Sequence, residues 1–196
     1  LGQRGVYVCG DMKNLPIGVL AKRFGNLGRR IWFMAQGLDP EKVNINIQAP
    51  KSIGHGKVLP PNTRDMSTIK IFLLHMSEKV AGRLRKNSFE AQRFFIGLKT
   101  SNGWLGAKLY TPFMTDDGLD IYHLCLFFLK LNWQGEGVFQ VQVTASDPRP
   151  SKQQLELFLP NKPKRSHLCT TIDEINQRYG DFFVSPARLM LRSKMP

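Results

Sequence analysis

The sequence predicts an α+β protein: a four-stranded antiparallel sheet backed by two helices, with a small helical segment in front. Two observations carry this. Apolar runs at helical spacing, Ile69 to Leu84 and Leu119 to Leu131, alternate with four extended runs, Lys51–Leu59, Gln92–Lys99, Leu105–Tyr110 and Val138–Thr144. The last three extended runs alternate apolar and polar side chains, so one sheet face is covered and the other open. The order is β-α-β-β-α-β. The boundaries this gives are a partial helical segment at 1–38, a linker at 39–50, the main domain at 51–146 and a tail at 147–196.

In the first segment Pro16 suits an opening helical turn, and Ile17, Leu20, Ala21 and Phe24 form an apolar stripe that Gly25 ends. A second helix is expected from Leu27 to Gln36, burying Leu27, Ile31 and Met34 or Ala35, with Gly37 as its stop. Lys22, Arg23, Arg29 and Arg30 crowd the turn between them. Gly25 and Gly28 either let backbone N–H groups approach a phosphate there or serve only the geometry of a solvated turn. Pro40 and Pro50 bracket an extended linker.

The first strand is Gly-rich; Gly54 and Gly56 let a backbone or ligand come close. Pro60, Pro61, Asn62 and Thr63 read as the turn after it. Ile69, Phe72, Leu73, Met76, Val80 and Leu84 form the buried stripe of the first long helix, whose basic C-terminal half (Lys79, Arg83, Arg85, Lys86) suits the helix dipole. The strands then bury Phe94, Ile96 and Leu98; Leu105, Ala107 and Leu109; and Phe139, Val141 and Val143. Phe95 points with Arg93 and Lys99 to the open side. The second long helix is apolar nearly all round and needs cover from the N-terminal helices or the tail. In the tail a short helix capped by Thr170 or Thr171 runs to Tyr179 with Gly180 as stop, followed by an extended run at Phe182, Phe183 and Val184.

The open face presents Arg93, Lys99, Lys108, Tyr110, Gln140, Gln142 and Thr144, with no acid among them. A face chosen only for solubility would carry carboxylates too, so this pattern points to a phosphate backbone. The net charge of +13 favours an anionic partner. It is spread along the chain, 7 basic against 3 acidic residues in 1–50, 12 against 7 in 51–145 and 9 against 5 in 146–196. A long polyanion fits that spread better than a small ligand. The three cysteines are isolated, as expected of a reduced, cytoplasmic chain. No apolar run reaches membrane length, and no signal peptide is expected. The first residue, Leu1, is expected of an excised fragment.

No catalytic centre is read from these residues. Asp116-Asp117 and Asp173-Glu174 lie where helices are expected to begin, as caps. The four histidines lack metal-ligand spacing, and no nucleophile motif or phosphate loop occurs. No metal or cofactor site is expected in this chain.

Specific strings carry a resemblance. Gly10-Asp11-Met12, Arg23-Phe24-Gly25, Ile31-Trp32 and Gly37-Leu38-Asp39, then Lys51-Ser52-Ile53-Gly54-His55-Gly56 and Asp173-Glu174-Ile175-Asn176-Gln177-Arg178-Tyr179-Gly180, occur in that order. Together they resemble the thumb-to-little-finger passage and terminal segment of bacterial Y-family translesion DNA polymerases of the DNA polymerase IV branch. The resemblance implies a little finger that grips primer-template DNA, with Lys51, Ser52, Gly54 and His55 joining the open-face residues as contacts. It implies a place in DNA repair, damage tolerance and the SOS response. It also implies a catalytic palm, holding magnesium, elsewhere in the whole protein, so this chain alone is expected not to be an enzyme. Gln154, Leu155, Leu157 and Phe158 are similar to the short peptide by which bacterial polymerases dock on the sliding clamp. The alternative from another class is a non-catalytic polymerase-like accessory or protein-interaction module whose basic surface is incidental.

Overall fold

The computed structural model describes residues 2–42, 49–151 and 162–194. The chain divides into two compact units, 1–48 and 49–196.

In the first unit a 3-10 turn, Cys9–Asn14, is held by Asp11, whose carboxylate accepts from the N–H groups of Tyr7 and Val8 at 2.9 and 3.0 Å. These two bonds hold the carboxyl below the usual range. Helix α1 (Ile17–Met34) is broken at Gly25, with φ 61° and ψ −140°, so it is two arms meeting at a glycine in the left-handed region. Gly28 is buried: a Cβ there would lie 2.2 Å from the Leu20 carbonyl oxygen. Its missing side chain lets the second arm press on the backbone of the first. Leu27, expected inside, is 60% exposed, and of the alternatives Met34 and Ala35 the first is 58% exposed and the second half-buried. The arms meet at Leu20 and Gly28 instead, and the Trp32 indole N–H donates to the Leu15 carbonyl at 2.8 Å.

The second unit holds β1 (Ser52–Thr63), α2 (Met66–Lys86), β2 (Phe89–Thr100), β3 (Gly103–Thr115), α3 (Gly118–Asn132), β4 (Val138–Ser146), β5 (Arg149–Pro150) and α4 (Lys162–Tyr179). The sheet order is β1-β4-β2-β3, all neighbours antiparallel, with the short β5 on β2. Phe94, Ile96, Leu98, Val141, Val143 and Ala145 share one core with Ile69, Val80, Ile121 and Phe128, so α2 and α3 cover the same sheet face, as the alternation predicts. Asp65 caps α2, accepting from Ser67 and Thr68 N–H, and Asp117 caps α3 through Leu119 N–H.

Several local expectations change. Val58 faces Gln140 and Thr63 faces Val138, so Pro60-Pro61-Asn62 bulges within β1 rather than ending it. Lys99 likewise faces Gln140 and Thr100 faces Val138, leaving Phe139 as the extra residue of a bulge. Phe139 is therefore only half-buried, and Val138 takes the core position. Helix α4 starts near Lys162, so Thr170 and Thr171 are not caps: their hydroxyls donate back to the Ser166 and His167 carbonyls. Asp173 sits mid-helix for the same reason. Phe182 has φ 64°, and the stretch through Val184 is a turn, not a strand. Asn176 holds it, donating to the Val184 carbonyl at 2.9 Å and accepting from the Val184 N–H at 2.8 Å.

Residues 162–194 lie against the helix layer through ion pairs. Arg85 grips Asp173 at 2.5 and 2.9 Å, Lys79 meets Asp181 at 2.6 Å, and Arg165 pairs with Asp117. A 3-10 helix, Ala187–Lys194, then places Leu189 in the core over α2. The cover expected over α3 thus falls largely on α2, and Phe127 and Leu131 of α3 are 52% and 62% exposed. A cleft of about 1330 Å³ lies between α4 and the helix layer, lined in part by Glu78, Arg85 and Arg165. Burial pushes the Glu78 carboxyl above its ordinary 4.5, against the pull of Arg85.

Gly28→Ala should cost about 1–3 kcal/mol by overpacking, while Gly18→Ala, with open space around its Cβ, should be neutral or slightly stabilising. Hydrogen exchange of residues 17–34 measures both; equal protection in the two variants contradicts the account. Glu78 binds its proton more tightly folded than unfolded, so its ionisation subtracts stability as pH rises above about 4.5. Glu78→Gln should therefore raise the melting temperature at pH 7 and have little effect near pH 4. A lower melting temperature at pH 7 would show that Glu78 stabilises as an anion.

Candidate nucleic-acid interface

Directly paired residues of an antiparallel sheet share a face, so the register lays out the open side row by row. The first row is Ser52, Ser146, Arg93 and Tyr110, and the second is Gly54, Thr144, Phe95 and Lys108. The third is Gly56, Gln142, Gly97 and Gly106, and the fourth is Val58, Gln140, Lys99 and Trp104. None of these residues is acidic. The alternation thus brings Arg93, Lys99, Lys108, Tyr110, Gln140, Gln142 and Thr144 onto one surface, with Ser52 and Gly54 beside them.

The cations are held in place by rings. Arg93 lies 5.8 Å from the centroid of Tyr110, its direct partner across the strands, and Lys99 lies 5.7 Å from that of Trp104. The Phe95 ring reaches over the third row: a Cβ on Gly106 would come within 2.7 Å of it, and one on Gly97 within 3.0 Å. Gln142 donates to the Thr144 hydroxyl at 3.2 Å. The space beside Gly54 is taken by that same Thr144, whose Oγ1 would lie 2.4 Å from an added Cβ. The glycine therefore accommodates a neighbouring side chain of the protein itself.

Two residues implied by the resemblance sit elsewhere. His55 pairs with Val143, on the helix-covered face. Burial lowers its pKa below 6.5, and Arg83, Lys79 and Lys57 push the same way, so it adds no charge at neutral pH. Lys51 precedes β1, exposed, its carbonyl accepting from the Asp147 N–H. Gln154, Leu155, Leu157 and Phe158 lie outside the described residues.

The sequence reading missed Trp104 because it started the strand at Leu105. Trp104 keeps the same two-residue phase as Lys108 and Tyr110, and that phase is the signal that finds it. Ser146 and Val58 complete their rows in the same way. By contrast, three basic residues of α2 have partners within the protein: Lys79 and Arg85 are ion-paired, and Arg83 donates to the Gly54 carbonyl at 2.7 Å. Among the described residues no three His, Cys, Asp or Glu side chains converge as a metal site would need. No helix among them is long and apolar enough to cross a membrane.

The model for the impB/mucB/samB family C-terminal domain matches residues 50–157, which begin just before β1 and contain all four long strands. The chain belongs to this family. The DNA polymerase IV of Moorella thermoacetica is 30% identical over 184 residues, covering 92% of this chain and 46% of that relative. A putative UV-damage repair protein, UvrX, of Bacillus subtilis is 28% identical, covering 92% and 45%. The DNA repair protein homolog YobH of the same organism is 27% identical, covering 69% of this chain and 65% of that relative. The chain thus spans a little under half the length of the first two. The matched impB/mucB/samB segment contains every row of the open face.

Replacing Arg93, Lys99 and Lys108 together with alanine should weaken duplex binding about equally across sequences and flatten the salt dependence by at most about three units of slope. Fluorescence anisotropy against salt measures it. Unchanged affinity would move the contact surface off this face, and Arg29 and Arg30 on the second arm of α1 would be tested next.

Proposed function

We propose that this chain is a DNA-gripping module of a translesion DNA polymerase, acting in DNA repair and damage tolerance. The open sheet face holds the backbones of primer-template DNA. The observation that carries this reading is that face: cations braced by rings, amides and hydroxyls between them, and no carboxylate. The family membership and the similarity to a DNA polymerase IV and to DNA repair proteins support it. Phosphate contacts of this kind fix position without reading sequence, which suits an enzyme that must hold many different templates.

The nucleotidyl transfer itself belongs to another part of the whole protein, where carboxylates would hold magnesium. This chain contributes grip to that reaction. Gln154 to Phe158 supplies the second tether. Leu157 and Phe158 are apolar anchors between Lys152 and Pro160, and Gln154 adds a directional hydrogen bond, the chemistry of a short peptide entering a hydrophobic pocket on a sliding clamp. Ordering such a peptide costs entropy, so its affinity belongs in the micromolar class, about −8 kcal/mol or weaker.

Titrating the purified chain with primer-template DNA at several salt concentrations should give an affinity that falls log-linearly with salt, with no primer extension on adding magnesium and nucleotides. Salt-independent binding would contradict the backbone grip, and extension by a rigorously purified sample would contradict the division of labour. Leu157→Ala with Phe158→Ala should abolish capture by a bacterial sliding clamp with DNA affinity and melting temperature nearly unchanged. Should the double variant unfold the domain, the two side chains are core and the tether reading fails.

A further inference from the structure

We infer that the β2–β3 side of the open face takes unpaired nucleotides, with the rings of Trp104 and Tyr110 as stacking platforms. The inference rests on the DNA reading of the face and names which form of DNA its outer side prefers.

Both rings stand on β3, an edge strand with β2 as its only sheet neighbour among the described residues. Trp104 is 48% exposed and Tyr110 60% exposed. Bracing Arg93 and Lys99 leaves much of each ring in water, and an indole half in water leaves apolar area uncovered. Each ring also has a cation beside it, Lys99 for Trp104 and Arg93 for Tyr110, both on β2. A π surface next to a fixed positive charge matches a base and its own phosphate. In a duplex the bases hide their faces against one another. Only unpaired bases present them to a protein ring, and stacking of that kind tolerates any sequence.

The spacing agrees. Arg93 and Lys99 are six residues apart on β2, about 20 Å, a length suited to a strand of about four or more nucleotides. Between the two platforms the Phe95 ring reaches over Gly97 and Gly106, neither of which has a side chain to obstruct a strand running from one ring to the other. Lys108, beside Phe95 in the second row, gives that strand a further phosphate contact.

Anisotropy titrations with a labelled oligothymidylate and a labelled blunt duplex of equal length test this. Trp104→Ala should lower the ratio of single-strand to duplex affinity about tenfold, in line with the loss of one stacked base, and Trp104→Phe should keep most of that ratio. Oligothymidylate should quench tryptophan emission in the parent and hardly at all in Trp104→Phe, because the Trp32 and Trp133 indoles are tied to the Leu15 and Glu136 carbonyls. An unaltered ratio in Trp104→Ala, or equal quenching in parent and Trp104→Phe, overturns the stacking inference while leaving the backbone grip standing. Duplex affinity unmoved in the triple alanine variant at 93, 99 and 108 instead overturns the interface reading beneath it.

Discussion

Ile96 lies between Val143 on one side and Ala107 on the other, and the same register puts Phe94 between Ala145 and Leu109 and Leu98 between Val141 and Leu105. Everything else in the second unit depends on this alignment. The residues at the centre of these rows are fully buried beneath α2 and α3. Their phase leaves Arg93, Lys99, Lys108 and Gln142 nowhere to go but the opposite side. A slip of one residue would put charges under the helices and the core in water, so the hydrophobic effect that fixes the core also fixes the make-up of the open face.

The same unit separates its charges by use. On the helix side, three cations are paired internally: Arg85 with Asp173, Lys79 with Asp181 and Arg165 with Asp117, each pair joining the helix layer to residues 162–194. On the sheet side Arg93 and Lys99 rest on rings rather than on carboxylates, which keeps their charge available to an outside anion. A ring holds a guanidinium or ammonium in place without neutralising it, whereas an acid does both. The distinction explains why a chain of net charge +13 can carry many basic residues and yet offer a partner only some of them.

Periodicity made the sheet and its two covering helices readable, because strict alternation at 94, 96 and 98 admits one arrangement. It made most of the open face readable for the same reason. It failed where the count of residues between partners is irregular. Phe139 is apolar and in phase with Val141, yet a bulge displaces it and gives its place to Val138. The long α4 was hidden because its start, Lys162-Pro163-Lys164, has the composition of a linker. His55 belongs to a string shared with a polymerase family, but pairing with Val143 turns it to the helix side. A motif identifies kinship; only the register tells which face a residue serves.

The central claim is that DNA meets the sheet face formed by β1, β4, β2 and β3 and not the helix layer. Amide chemical-shift mapping of the isotope-labelled chain during titration with primer-template DNA tests it most directly. The account predicts that the largest shifts cluster at Arg93, Phe95, Lys99, Trp104, Lys108, Tyr110 and Gln142, with Lys79, Arg83 and Asp173 little changed. Shifts concentrated on α2 and α4, with β2 and β3 silent, would contradict it.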